Sequence, residues 1–168
     1  FGLGAPLVAM VGTCIGAGQR ERALRATAVG AAMAFAMTSA VGVWAALFPH
    51  TWLRLFSNDP QMLESGTLYL RSVGPFYGFF GLGLVLYFAS QGAGKLKWPV
   101  IGNLVRLAIA GLGGWLALRW SGGLAAVFVA QALALLLYGL TNAAAIAGGA
   151  WFGPLRWPRR LAAASLPD

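Results

Sequence analysis

An all-helical integral membrane bundle is the fold class this sequence predicts, and three observations point to it. Of 168 residues, 59% are apolar and 10% charged, against about 45–50% and about 25% in a soluble domain. The mean hydropathy is +0.73. The charges are also segregated: residues 1–19, 26–53, 72–94 and 120–155 carry none, and 98–118 carry only Arg106. Runs of that length match the roughly 20 apolar residues of a spanning helix. Buried core helices need about 10–14, and barrel strands about 9–11 alternating ones. Disorder is excluded by the hydrophobicity. A soluble globule of this size lacks the interior to hide so much apolar surface. Nucleic-acid binding would explain the net charge of +8 but not the apolar content.

Trimmed at glycine, proline and polar punctuation, the runs give about five spans, near 1–18, 26–49, 72–94, 98–118 and 124–150. They form a bundle over 1–153, followed by a tail, 154–168, expected to be cytoplasmic. The first residue is Phe1 and no basic region precedes the first apolar run, so a chain truncated at its N-terminus is expected rather than a signal peptide. The turn after span one holds Arg20, Arg22 and Arg25. The turn between spans three and four holds Lys95 and Lys97, and the tail holds Arg156, Arg159 and Arg160. The opposite side has Arg54, Arg71 and Arg119. Eight against three places the first group in the cytoplasm. Trp52 and Trp120 fall at the outer ends, and Trp98, Trp151 and Trp157 at the inner ends, as headgroup anchors.

In the outer loop at 50–71, Asp59 before Pro60 reads as an N-cap with proline at the first helical position. A short surface helix over 60–70 is expected there, leading into span three. Gly12 with Gly16, and Gly74 with Gly78, are GxxxG pairs that permit close helix packing. Gly16-Ala17-Gly18-Gln19-Arg20 and Gly92-Ala93-Gly94-Lys95 repeat one turn on the same membrane face. Its glycines can take φ > 0 and end a helix, and the cation suits the negative helix end.

Motifs for catalysis are missing. Gly92-Ala93-Gly94-Lys95 lacks the leading glycine and the trailing Ser or Thr of a phosphate-binding loop. Ser90 lacks the first glycine of a nucleophile elbow. His50 is the one histidine, and Cys14 the one cysteine, so neither a zinc set nor an internal disulfide is expected. No acid lies inside a span: Glu21, Asp59, Glu64 and Asp168 are all in turns or at the end. No enzyme, metal or cofactor is predicted.

Arg106 lies nine residues from Lys97, about 13 Å at 1.5 Å per residue. Burying a guanidinium there costs about 2.5–3.5 kcal/mol on insertion scales, so it faces a cavity or a polar partner. Asn103, one turn earlier, shares its face. Either Arg106 bonds carbonyls or Asn103 and ties helices together, or it lines a cavity. Tyr77, Gln91, Gln131 and Asn142 are the other polar groups within or near spans. With Asn103 and Arg106 they are the candidate substrate-path residues.

Val11-Gly12-Thr13-Cys14-Ile15-Gly16-Ala17-Gly18-Gln19-Arg20-Glu21-Arg22-Ala23 resembles a conserved turn of the multidrug and toxic compound extrusion (MATE) family. Leu55-Phe56-Ser57-Asn58-Asp59-Pro60, then Tyr69-Leu70, resembles that family's outer loop. Gln91-Gly92-Ala93-Gly94-Lys95, with Pro99 and Arg106 following, resembles a later turn and helix. Order and spacing match the second half of the family fold, from its second helix onward. Thr13 and Cys14 stand where the family often has Gln-Asn, and span three lacks the acid of some sodium-coupled members.

The resemblance implies part of a twelve-helix, two-lobe transporter, and the high Ala, Gly and Arg content suggests a bacterial inner membrane. Its partners would be the lipid bilayer, amphipathic and often cationic small molecules, and a proton or sodium ion bound mainly by an N-terminal part outside this sequence. No nucleic-acid partner is implied. A lipid-linked oligosaccharide flippase of related fold is the alternative transporter, though it would need a cluster of cavity cations where Arg106 stands alone. A small non-transporting membrane subunit is the alternative from another class.

Overall fold

The computed structural model describes residues 1–121 and 123–151. The expected cytoplasmic tail, with Arg156, Trp157, Arg159, Arg160 and Asp168, lies outside the described residues. Among the described residues every regular element is helical: α1 (Gly4–Gly16), α2 (Arg20–Leu47), α3 (Pro49–Leu53), α4 (Pro60–Val73), α5 (Tyr77–Gly92), α6 (Lys97–Ala108), α7 (Gly114–Ser121) and α8 (Leu124–Ala147). A 3₁₀ turn at Gly74–Phe76 joins α4 to α5, and a π-helical turn at Ile109–Gly113 joins α6 to α7. Four helical stretches are long and apolar enough to cross a membrane: Arg20–Leu47, Pro60–Gly92, Lys97–Trp120 and Leu124–Ala147. α1 is shorter, at 13 residues. The chain is an all-α membrane protein.

The bundle is built inside out relative to a soluble domain. On α2 the buried face is Ala23, Thr27, Ala31, Ala34, Gly42 and Ala45. The opposite stripe, Val29, Met33, Met37, Val41 and Trp44, is exposed. Both follow the helical period of three to four residues, with half-buried Thr38 between Ala34 and Gly42 on the buried face. Lipid tails are as apolar as these side chains, so burying large ones gains little, and small residues let backbones come close enough for dispersion to hold helices together. Thr27 and Thr38 return their hydroxyl protons to the carbonyls of Ala23 (2.8 Å) and Ala34 (2.6 Å), so neither presents an unmatched donor.

α5 is central, packed on α1, α2 and α8, while α6 and α7 lean on α8. Glycines set the crossings. A Cβ on Gly74 would meet the carbonyl oxygen of Gly42 at 2.7 Å, and one on Gly139 would meet the backbone of Phe79 at 2.5 Å. Gly12 of α1 packs on Gly92 of α5, but a Cβ on Gly16 would meet no other helix within 4 Å among the described residues. The first GxxxG pair therefore supplies one contact glycine rather than two.

Three helix ends share one construction. Gly18 (φ 72°), Gly94 (φ 67°) and Gly149 (φ 87°) are the described residues with positive φ. In each turn the glycine N–H donates three residues back: to Ile15, Gln91 and Ile146, each at 3.0 Å. The next N–H donates five back, to Cys14 (2.8 Å), Ser90 (2.9 Å) and Ala145 (2.9 Å). That pattern closes the last carbonyls of a helix. Since α1, α5 and α8 run in the same sense, all three turns lie at one end of the bundle. Gly148-Gly149 lacks the following cation, which is why the repeat is visible in sequence at only two of the three places.

The helix expected from Pro60 is present as α4 and leads through the 3₁₀ turn into α5, the two making one 33-residue stretch, about 50 Å long at 1.5 Å per residue. Asp59 caps its start, accepting from the Gln61 N–H at 3.3 Å. Pro75, which has no N–H to donate, is accommodated in the 3₁₀ turn. One expectation needs correction: Trp151 is not a headgroup anchor. The Gly149 turn folds it back into the bundle, where it is buried against Leu7, Val11, Val85 and Ala89 and its Nε1–H donates to Ser90 Oγ at 3.3 Å. Trp98 and Trp120 are exposed at helix ends, where an indole suits the interface.

Candidate functional site

Three helices meet at Arg106. It sits near the C-terminal end of α6, three residues before the π-helical turn. Its guanidinium lies 5.5 Å from the ring centre of Phe80 on α5 and 5.3 Å from that of Tyr138 on α8. The two rings are tilted 36° to one another. Each contact is worth about 1 kcal/mol at a half-buried site, so together they offset a large part of an insertion cost of about 2.5–3.5 kcal/mol. Asn103, the partner its helical spacing suggests, is exposed and takes no part in this contact.

Tyr138 fits because a glycine makes room: its ring edge would lie 2.5 Å from a Cβ on Gly83. One turn further along α8, Asn142 is buried and donates from Nδ2 to the Tyr138 carbonyl at 2.9 Å. Its Nδ2 also lies against Gly102. Its Oδ1 is buried with no hydrogen-bond partner among the described residues, a costly condition for an amide in apolar surroundings. Arg106, Tyr138 and Asn142 thus form a polar column along the junction of α6 with α8.

The remaining candidates are separate. Tyr77 donates its hydroxyl proton to the Tyr69 hydroxyl at 3.0 Å, across the 3₁₀ turn. Tyr69 in turn meets the Phe128 ring edge-on at 5.3 Å. Gln131, half-buried, is one turn past Phe128 on α8. Gln91 is half-buried at the end of α5, where its carbonyl closes the Gly94 turn. Gly16, Gly18, Gly92 and Gly94 sit in or beside the first two of the three turns described above. Phe80 and Tyr138 were not distinguishable in the sequence from the other aromatics of the apolar runs. Only a partner on a third helix reveals their role.

The MatE family model matches residues 1–116, which takes in α1 to α6 and the start of α7. A curated relative, the "Probable multidrug resistance protein NorM" of Thermotoga maritima, is 28% identical over 112 residues. That match covers 67% of this chain and 24% of the relative, so the chain spans about a quarter of the relative's length. No solved structure matches the chain. A family match over more than half of the sequence, on an inside-out helical bundle with the expected turns, settles the classification: this chain belongs to the multidrug and toxic compound extrusion (MATE) family of transporters.

Proposed function

We propose that this chain is part of an ion-coupled exporter of amphipathic, often cationic small molecules, working by alternating access in the bacterial inner membrane. The observation that carries this is the family match over residues 1–116. The name of the Thermotoga maritima relative, a probable multidrug resistance protein, supports the substrate class. The polar column of Arg106, Tyr138 and Asn142, together with Tyr77, Gln91, Asn103 and Gln131, supplies the substrate-path residues. Five crossings, α1 included, put the three glycine turns and the tail on the cytoplasmic side, by the excess of basic residues there.

Coupling to a proton or sodium gradient needs an intramembrane group that binds the ion, normally a carboxylate. Glu21, Asp59 and Glu64 are all exposed, and Asp168 ends the chain. The coupling carboxylate accordingly belongs to an N-terminal part outside this sequence, and the present bundle supplies cavity wall and moving surface. Expression of the full gene product in cells stripped of their own efflux pumps tests this. Ethidium accumulation is expected to fall severalfold, and a protonophore or removal of sodium to restore it. Unchanged accumulation with the protein present in the membrane contradicts the assignment.

A further inference from the structure

The turn between α1 and α2 carries a second feature, away from the polar column of Arg106, Tyr138 and Asn142. A shallow, open depression is lined by Gly18, Gln19, Arg20, Glu21, Arg22 and Arg25, all of them exposed. A second recess of about 320 Å³ shares Gln19 and Arg22 with it and runs between α1 and α2 past Met10, Cys14 and Ala26. A cationic depression thus opens directly into a largely apolar groove. Arg25 is the last charged residue before 28 uncharged ones, so the junction of the two lies where headgroups give way to hydrocarbon.

The electrostatics favour an anion. Arg22 and Arg25 face one carboxylate, that of Glu21. The Arg25–Glu21 pair is long, 3.9 Å, and its side chains are 72% and 73% exposed, so it neutralises Arg25 little. Arg22 donates to the neutral amide oxygen of Gln19 at 3.3 Å, which positions the guanidinium and leaves its charge in place. The N-terminal end of α2 adds positive potential. The groove has the opposite character and runs along the helices, the direction of a lipid chain.

We propose that this turn is a binding site for an anionic phospholipid of the phosphatidylglycerol type. The phosphate sits among Arg22, Arg25 and the start of α2, and one acyl chain lies along Met10, Cys14 and Ala26. The site rests on the membrane setting of the bundle and not on what the protein transports. A free phosphate would use the depression but leave the groove empty.

Native mass spectrometry of the full gene product, titrated with phosphatidylglycerol and with phosphatidylcholine of the same oleoyl chains, tests it. The tightest phosphatidylglycerol site is expected to bind several times more strongly than any phosphatidylcholine site. A basic residue at the membrane surface contributes about fivefold to anionic-lipid binding, about 1 kcal/mol. The double variant Arg22→Gln, Arg25→Gln is therefore expected to weaken that one site about 25-fold and leave phosphatidylcholine binding unchanged. Ala26→Trp, which fills the groove, is expected to weaken it as well. Equal binding of the two lipids by the parent protein, a measurement that needs no variant, overturns the proposal. So does retention of the site in the double variant, or displacement of the lipid by glycerol phosphate at equal concentration.

Discussion

Gly42→Leu is expected to disrupt the crossing of α2 with the α4–α5 helix and to cost about 3 kcal/mol or more, the upper end of the usual range for overpacking. A Cβ on Gly42 would run into the carbonyl oxygen of Gly74 and would lie 2.9 Å from Cβ of Tyr77. The obstacle is mainly backbone, which cannot swing aside as the end of a side chain can. Just along the same face, Gly78 meets Ser39 and Phe35, and Gly81 meets Thr38, so a displaced α2 loses the whole seam. In a membrane this close contact is itself a main source of association energy. Gly16→Leu is the matched control, because a Cβ there would meet no other helix within 4 Å among the described residues, and its effect is expected within about 0.5 kcal/mol. Thermal or detergent-induced unfolding of the full gene product measures both. Equal losses at the two positions would contradict the packing described.

That contrast shows what sequence can and cannot convey. The helical class was legible, because long uncharged runs have few other physical explanations. Gly18 and Gly94 were legible as turn residues, because a Gly-Ala-Gly before a cation suits the end of a helix. Which glycines touch another helix was not. Gly12 and Gly16 have the same spacing pattern, yet only Gly12 meets a neighbour, since contact depends on the crossing point and not on the pattern. Trp151 shows the same limit: a tryptophan at the end of an apolar run looks alike whether it faces headgroups or folds back onto Ser90. Arg106 could be picked out as costly from its depth alone. Phe80 and Tyr138, which relieve that cost, come from helices 26 and 32 residues away in sequence, and no local spacing encodes them.

Arg106→Leu in the full gene product is expected to lower export about tenfold, equivalent to about 1.4 kcal/mol, with protein level maintained. Leucine spares the insertion cost but abandons both rings, so the net change in stability is small. The loss falls on the joint among α5, α6 and α8. The π-helical turn begins three residues later, and such turns inside helices frequently mark functional positions. Arg106→Lys separates charge from stacking: lysine keeps the cation but lacks the planar face. Recovery of export with lysine assigns the effect to charge, and failure to recover assigns it to the ring contacts. On stability, double-mutant cycles of Arg106→Leu with Phe80→Leu and with Tyr138→Leu are expected to show coupling of about 1 kcal/mol each. Unchanged export of every substrate tested, at normal protein level, would remove Arg106 from the functional account.

The central claim is that the chain crosses the membrane in alternation, with its glycine turns on the cytoplasmic side and the start of α4 outside. Single cysteines at Gln19, Asp59 and Lys95, placed one at a time in a cysteine-free full-length background carrying Cys14→Ser, test it in intact cells with a membrane-impermeant thiol reagent. The account predicts labelling at Asp59→Cys alone, with Gln19→Cys and Lys95→Cys reacting only after the cells are opened. Labelling of Gln19→Cys or Lys95→Cys in intact cells would contradict it.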